Sequence, residues 1–369
     1  MDTPEQRMQQ ALAQAAQAVG LSEPNPRVGC VIVSADGGQL LGEGHTQPAG
    51  QAHAEIMALR DAAQRGNRVE GATVYVTLEP CAHHGRTGPC CEALAAARVG
   101  KVIAALPDPN PLVAGQGFGH LRAAGVLVET GPGAAGAREL NIGFFSRMIR
   151  RAPWVRMKVA ATLDGKTALD NGTSQWITSE AARADGHAWR ARAGAVLTGI
   201  GTLLEDNPRL DVRLAPTARQ PDAVVVDSRL DTPLDALIFQ PGRRLFIYSA
   251  VKDAGRQAAL EARGATVVCL PGPGGKVDLA AMMRDLARRE INELHVEAGH
   301  KLNGSLIREG LVDELLVYLA PKLVGQGRDM ANFGPLADLA SAVTLDYRSV
   351  DRVGPDLRLI ARLPGRDAF

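Results

Sequence analysis

Hydrophobic and polar positions fall into the same alternation of strand-like and helix-like segments twice along the chain. In the first half, short apolar runs read as strands: VGCVIV from Val28, ATVYVTL from Ala72, KVIAAL from Lys101 and VLVET from Val126. Between them AHAEIMALRDAAQ, CCEALAAAR and GFGHLRAAG read as helices. Upstream, Thr3 precedes Pro4 and lies three residues before Gln6, a capping box that predicts a helix running to about Gly20. Strands alternating with helices predict a central sheet covered on both faces. RRAPWVRMKVAATLDG then breaks the pattern with Arg150, Arg151 and Pro153 and opens a new strand, which puts a domain boundary near residue 148. The second half repeats the alternation, with AVLTGIG, DAVVVDS, RLFIYS, TVVCLP, ELHVEAG and DELLVYLAP as strands. It holds no GxGxxG, so a Rossmann fold has no support.

Composition narrows the function classes. A chain of 369 residues, 46% apolar and 22% charged, is long enough for two domains with full cores. Forty-one basic residues against 40 acidic ones provide no field to hold a polyanion, and 4% aromatic residues provide few stacking platforms, so nucleic acid is not an expected partner. The N-terminal MDTPEQRMQQALAQAA has neither the basic region nor the apolar run of a secretion signal, and no apolar stretch reaches the length of a membrane span. A cytoplasmic location is expected, and the oligomeric state, with a homo-oligomer among the possibilities, stays open. Five cysteines, Cys30, Cys81, Cys90, Cys91 and Cys269, point to metal binding or burial rather than a disulfide framework.

EPCAHHGRTGPCC, residues 79–91, is where the cysteines concentrate. With HAE at 53–55 and GPCC at 88–91 each opening a helix, His53 and Cys90 are expected at helix N-termini, where the dipole favours thiolate. Cys81 completes a set of one imidazole and two thiolates. Three protein ligands make an open zinc site rather than a closed structural one, with the fourth position left for water. Glu55 is then placed to take a proton from that water and hand it to a leaving amine. H-x-E with a Pro-Cys pair is the signature of zinc nucleobase deaminases, although the spacing here is PC-x8-C rather than PC-x2-C. Cys91 points about 100° away from Cys90 on the helix and is not expected as a ligand; His83 and His84 read as loop histidines, and Cys30 and Cys269 as core residues.

The longer spacing, read with NPRVGCVIV, HAE and PCAHHGRTGPC, resembles the deaminase half of the bifunctional riboflavin-biosynthesis deaminase-reductases. KVAATLDGKTA, SQWITS, LTGIGTLLEDNPRLDVR, VVVDS and HVEAGHKLNGSL resemble that family's reductase half, so the likeness spans nearly the whole chain. Gly88 stands where the family commonly has proline. The resemblance implies an α/β architecture: a three-layer α/β/α cytidine-deaminase-like domain over 1–148, then a dihydrofolate-reductase-like domain over 149–369. It implies one zinc ion, NADPH and a small pyrimidine ribosyl phosphate as substrate. It places Asn25 against the pyrimidine and His45 in the same pocket, and Arg86 offers a charge for a substrate phosphate.

In the second half, HVEAGHKLNGSL is a strand running into a glycine-containing turn that opens a helix, where backbone N–H groups can hold a pyrophosphate. The resemblance assigns Gly299, His300, Lys301, Leu302, Asn303, Gly304 and Ser305 to NADPH, together with Ala161, Trp176, Thr202, Asp206 and Ser228. It gives Ser174, Arg190, Leu210, Arg213 and Glu297 to the substrate. Arg190 and Arg213 suit a phosphate pair, and Glu297 suits a sugar hydroxyl. Ser228 and Arg229 form a candidate seat for the 2′-phosphate of NADPH, and Lys158 and Asp164 are left without a role. Two successive reactions on one molecule follow: deamination of 2,5-diamino-6-(5-phosphoribosylamino)pyrimidin-4(3H)-one, then reduction of the ribosyl chain of the uracil product to ribityl. The alternative reading is a nucleic-acid or nucleoside base deaminase with an accessory domain.

Overall fold

A computed structural model describes residues 2–82, 88–111 and 113–369. The chain divides into two compact units, Met1–Arg150 and Arg151–Phe369.

In the first unit α1 (Pro4–Ala16) starts with the expected capping box: the Thr3 hydroxyl accepts from the Gln6 N–H at 3.3 Å, and the Gln6 side-chain Oε1 accepts from the Thr3 N–H at 2.7 Å. The helix stops at Ala16, one turn short of the expected Gly20. β1 (Gly29–Val33), β2 (Leu40–His45), α2 (Ala54–Gln64), β3 (Thr73–Val76), α3 (Cys90–Ala96), β4 (Lys101–Ala104), α4 (Gln116–Ala123), β5 (Leu127–Thr130), α5 (Ala134–Leu140) and α6 (Ile142–Arg150) follow. The sheet has the order β2-β1-β3-β4-β5, antiparallel across β1 and parallel from β3 to β5.

β2 was not expected, because LLGEGH carries glycine where a strand pattern wants bulk. The reason is close packing. A Cβ on Gly42 would lie 2.3 Å from the Ala58 carbonyl oxygen, and one on Gly44 would lie 2.5 Å from the Met57 Cβ, so α2 rests directly on the backbone of β2. α2 is the helix that starts at the His53–Glu55 motif.

The second unit contains β6 (Trp154–Thr162), β7 (Lys166–Ala168), α7 (Glu180–Arg192), β8 (Ala195–Gly199), α8 (Ile200–Asp206), β9 (Asp222–Val226), β10 (Leu245–Ser249), α9 (Ala254–Ala262), β11 (Ala265–Cys269), α10 (Leu279–Arg288), β12 (Glu293–Val296), α11 (His300–Arg308), β13 (Glu314–Ala320), β14 (Arg328–Asp329), β15 (Asp346–Val353) and β16 (Asp356–Arg362). Its main sheet has the order β11-β10-β9-β8-β12-β6-β13-β16-β15, parallel as far as β13 and antiparallel thereafter. The parallel strands carry apolar runs buried on both faces, as such a sheet requires. β15 and β16 escaped the sequence reading because DYRSVDRV and DLRLIAR are half polar and sit at the exposed end of the sheet. Cys30 is buried as expected, but Cys269 is only half-buried because β11 is an edge strand. No helix among the described residues is long and apolar enough to cross a membrane.

Beneath β6 lies a buried ionic cluster. Arg156 contacts Glu293 at 2.8 Å as well as Glu314, Arg362 bonds Glu314 at 2.7 Å, and Arg192 bonds Glu293 at 2.8 Å. The Arg156 guanidinium also lies 4.4 Å from the Trp189 ring centroid. Each buried charge has an opposite partner, so this cluster holds strands together.

Candidate active sites

His53 is the N-cap of α2, in extended backbone with φ −78° and ψ 170°, and it makes no side-chain cap bond that would tie up its ring. Cys90 is the first residue of α3. Cys81 sits in the loop after β3, and its neighbourhood is fixed by Glu79. That buried carboxylate accepts the backbone N–H groups of Asp108 at 3.2 Å, Gly115 at 2.9 Å and Phe118 at 3.1 Å. The Cys90 N–H lies 3.4 Å from the Cys81 sulfur, and the Cys91 N–H donates to the Cys81 carbonyl at 3.2 Å.

These constraints bring one nitrogen and two sulfurs together. His53 Nδ1 lies 3.5 Å from Cys81 Sγ and 3.4 Å from Cys90 Sγ, and all three atoms fall within 4.8 Å of one another. Zinc–sulfur bonds of about 2.3 Å and a zinc–nitrogen bond of about 2.1 Å, arranged tetrahedrally, put nitrogen and sulfur roughly 3.6 Å apart. The donor set therefore fits a zinc ion. A hydrogen bond from the Cys90 thiol, with help from His53, pulls Cys81 down to about 4, while the Cys90 thiol itself is pushed up. Cys91 is buried outside the donor cluster, and burial pushes its thiol up to about 11.

Glu55 is buried within the first turn of α2. Burial first, and the neighbouring Cys81 second, push its carboxyl up to about 7, against the opposing pull of His53. A carboxyl poised near neutrality can both accept and return a proton. Asp108, not singled out from the sequence, is also buried in this unit, and burial pushes it up to about 7. Its signal was the DPNP turn, which reads as ordinary loop chemistry. Asn25 lies in a turn after a cis Glu23–Pro24 bond, with its N–H donating to the Ser22 carbonyl at 2.8 Å. His45 ends β2 opposite Gly29, and burial lowers its pKa. Arg86, His83 and His84 lie outside the described residues.

In the second unit a cavity of about 530 Å³ opens at the C-terminal ends of the parallel strands. It is lined by Ser174, Trp176, Arg190, Thr202, Asp206, Leu210, Arg213, Glu297, Gly299, His300 and Asn303, all residues singled out from the sequence. Trp176 is 61% exposed at the rim, with the Arg183 guanidinium 4.5 Å from its ring centroid. Gly299 is the N-cap of α11, so the expected turn into a helix is present.

Other expected contacts are placed elsewhere. Ala161 is fully buried in the core and does not line the cavity, whereas Lys158, Val159 and Ala160 of β6 do. Of residues 299–305, Lys301, Leu302, Gly304 and Ser305 do not line the cavity. Leu302 packs on the core, the Ser305 hydroxyl donates to the Lys301 carbonyl at 3.2 Å, and Gly304 allows Asn332 to pass so closely that a Cβ would lie 1.8 Å from its carbonyl oxygen. Ser228 is half-buried outside the lining, its carbonyl accepting the Ala250 N–H at 3.1 Å. Arg229 is an exposed surface residue outside the lining, 2.9 Å from Asp231.

Several charges inside the cavity are already paired, Arg213 with Asp211 at 2.7 Å among them. Arg190 grips both oxygens of Glu297, at 2.5 and 2.9 Å, and donates to the Asp211 carbonyl at 2.9 Å, so it is not the free phosphate ligand expected beside Arg213. Lys158 Nζ lies 3.8 Å and His295 Nε2 3.3 Å from Glu297. Arg190, after it Lys158, hold the Glu297 carboxyl well below its ordinary range despite burial, and burial lowers Lys158. Lys158, Arg183, His187 and Arg328 line this or the adjoining 260 Å³ cavity and were not foreseen there. Lys158, a charge in the middle of an apolar strand, was the one legible signal. Asp164, also left without a role, accepts the Gly325 N–H at 2.8 Å and ties the turn after β6 to the loop after β13.

Comparison with known proteins agrees with this geometry. Residues 1–106 match the cytidine and deoxycytidylate deaminase zinc-binding region, and residues 153–359 match the RibD C-terminal domain. The riboflavin biosynthesis protein RibD of Escherichia coli is 43% identical over 366 residues, covering 95% of this chain and 97% of that protein. The solved RibD of Acinetobacter baumannii is 40% identical with a TM-score of 0.88, over 97% of this chain and 98% of that one. A Thermotoga maritima diaminohydroxyphosphoribosylaminopyrimidine deaminase/5-amino-6-(5-phosphoribosylamino)uracil reductase is 29% identical with a TM-score of 0.85, over 98% of both chains. The chain belongs to the RibD family, the bifunctional deaminase-reductases of riboflavin biosynthesis.

Proposed function

We propose that the cluster of His53, Cys81, Cys90 and Glu55 carries the deamination and the cavity behind Trp176 carries the reduction. The observation that carries this reading is the convergence of three zinc donors beside a buried carboxyl of pKa about 7. His53, Cys81 and Cys90 would hold zinc, which when bound supplies an activated water. Glu55 takes the proton from that water and delivers it to the ring nitrogen substituent, which leaves as ammonia while a carbonyl forms on the ring. The Asn25 amide and the His45 ring are the side chains we assign to orienting the pyrimidine.

In the second unit Gly299, His300 and Asn303, with Trp176, Thr202 and Asp206, would hold NADPH, which supplies the hydride. Ser174, Leu210 and Arg213 would hold the phosphorylated chain, with Arg213, half-exposed and 2.7 Å from Asp211, the cation we assign to the phosphate. Arg190 orients Glu297, whose remaining lone pairs face the sugar hydroxyls. Lys158, buried beside Glu297, keeps that carboxylate ionised. We assign residues 1–150 to the first reaction and 151–369 to the second, in the cytoplasm, where five unpaired cysteines stay reduced. The test supplies the diaminopyrimidinone ribosyl phosphate with and without NADPH and follows ammonia and NADPH absorbance separately. Ammonia release without NADPH, and NADPH loss only after ammonia release, are expected; neither signal would refute the assignment.

A further inference from the structure

The segment Arg209–Arg213 carries three residues of the reductase cavity, Arg209, Leu210 and Arg213, and its backbone is held almost wholly by side chains from elsewhere. Arg243 Nη1 donates to the Arg209 carbonyl at 2.7 Å and Nη2 to the Leu210 carbonyl at 2.8 Å. Gln220 clasps Val212 from both sides, accepting its N–H at 2.7 Å and donating to its carbonyl at 2.9 Å. His187 Nδ1 accepts the Arg213 N–H at 3.2 Å. Leu210 stands at φ +53°, a left-handed conformation that leucine adopts only where its surroundings over-determine it. Its side chain is nonetheless buried in the core.

Arg243 is the centre of this arrangement. It is buried just ahead of β10, does not line the cavity, and has no carboxylate within ion-pairing distance among the described residues. Its Nε donates to the Pro221 carbonyl at 2.6 Å, so one planar guanidinium joins the segment to the chain entering β9. Only a guanidinium offers that many N–H groups in fixed directions. A buried arginine satisfied by carbonyls alone is an expensive way to fill space, and an apolar side chain would serve a purely packing role better.

We propose that Arg243 is a positioning residue of the reductase: it sets the Arg209–Arg213 backbone so that Leu210 and Arg213 meet the phosphorylated substrate. The inference rests on reading this cavity as the reductase site. It is tested in the full chain with Arg243→Met, Arg243→Lys and Gln220→Ala, using Arg213→Ala as reference. Arg243→Met is expected to raise KM for the deaminated ribosyl phosphate at least tenfold, with kcat changed less than threefold, and NADPH affinity and ammonia release within twofold of the parent. Arg243→Lys should recover part of the KM, and Gln220→Ala should move KM alone, by a smaller factor. If Arg213→Ala leaves KM unchanged, the reading of the cavity fails. If Arg213→Ala raises KM while Arg243→Met does not, or if Arg243→Met weakens NADPH and substrate equally, the positioning role fails. Should Arg243→Met not fold, an unchanged KM in both Arg243→Lys and Gln220→Ala overturns it.

Discussion

The two candidate sites are built in opposite ways. In the first unit the chemistry comes from two short windows, 53–55 and 81–90, whose side chains converge because two helices begin there. In the second unit the lining runs from Lys158 to Arg328, drawn from strand ends and loops, and its charges neutralise one another before any ligand arrives. A metal site is a set of donors and tolerates little else; a cofactor and substrate cavity is a shape with charges balanced inside it. Substitution should therefore act locally and completely in the first, and diffusely in the second.

The largest contrast is expected on metal removal. A chelator, or Cys90→Ser, should eliminate zinc and ammonia release while NADPH oxidation with the deaminated substrate continues; Cys91→Ser should lose neither. Metal analysis alongside both assays checks this, and zinc loss on Cys91→Ser alone would reverse the ligand choice. Next, Glu55→Gln should keep zinc but lower ammonia release by on the order of 10²- to 10⁴-fold, the usual worth of a positioned acid–base group. More than a few per cent residual deamination would remove Glu55 from the proton path. In the second unit Glu297→Ala leaves Arg190 and Lys158 close together without their counter-charge, and should destabilise by about 3–5 kcal/mol, read from the urea midpoint. An unshifted midpoint would mean that solvent replaces the carboxylate there. The smallest effect is set by the α1 cap: Thr3→Ala should cost about 1 kcal/mol and leave both activities intact.

The same contrast governs what the sequence reveals. His53, Glu55, Cys81 and Cys90 are legible because zinc chemistry demands particular atoms, and a helix start is written in caps and prolines. In the second unit the resemblance brought most of the lining together, yet it placed Ala161 and Ser228 on a surface they do not share. Which way a residue points on a strand depends on register, and neither those two positions nor Arg183, His187 and Arg328 differ in sequence from core or surface residues. The left-handed backbone of Leu210 has no sequence signal either, since leucine is not a residue that announces such a turn. β15 and β16 were missed because strands of mixed polarity at the exposed end of a sheet read as loop.

Gly42 and Gly44 extend the reach of the first site beyond its chemical groups. Each lies under α2 so closely that one added methyl group would push the helix outward, and the helix begins with the imidazole and the carboxyl. In a saturation library scored for riboflavin-independent growth, these two positions should be as intolerant as Cys81 and Cys90. A map of essential positions would then mark two glycines that touch neither metal nor pyrimidine, and reading them as part of a binding surface would misplace the pocket.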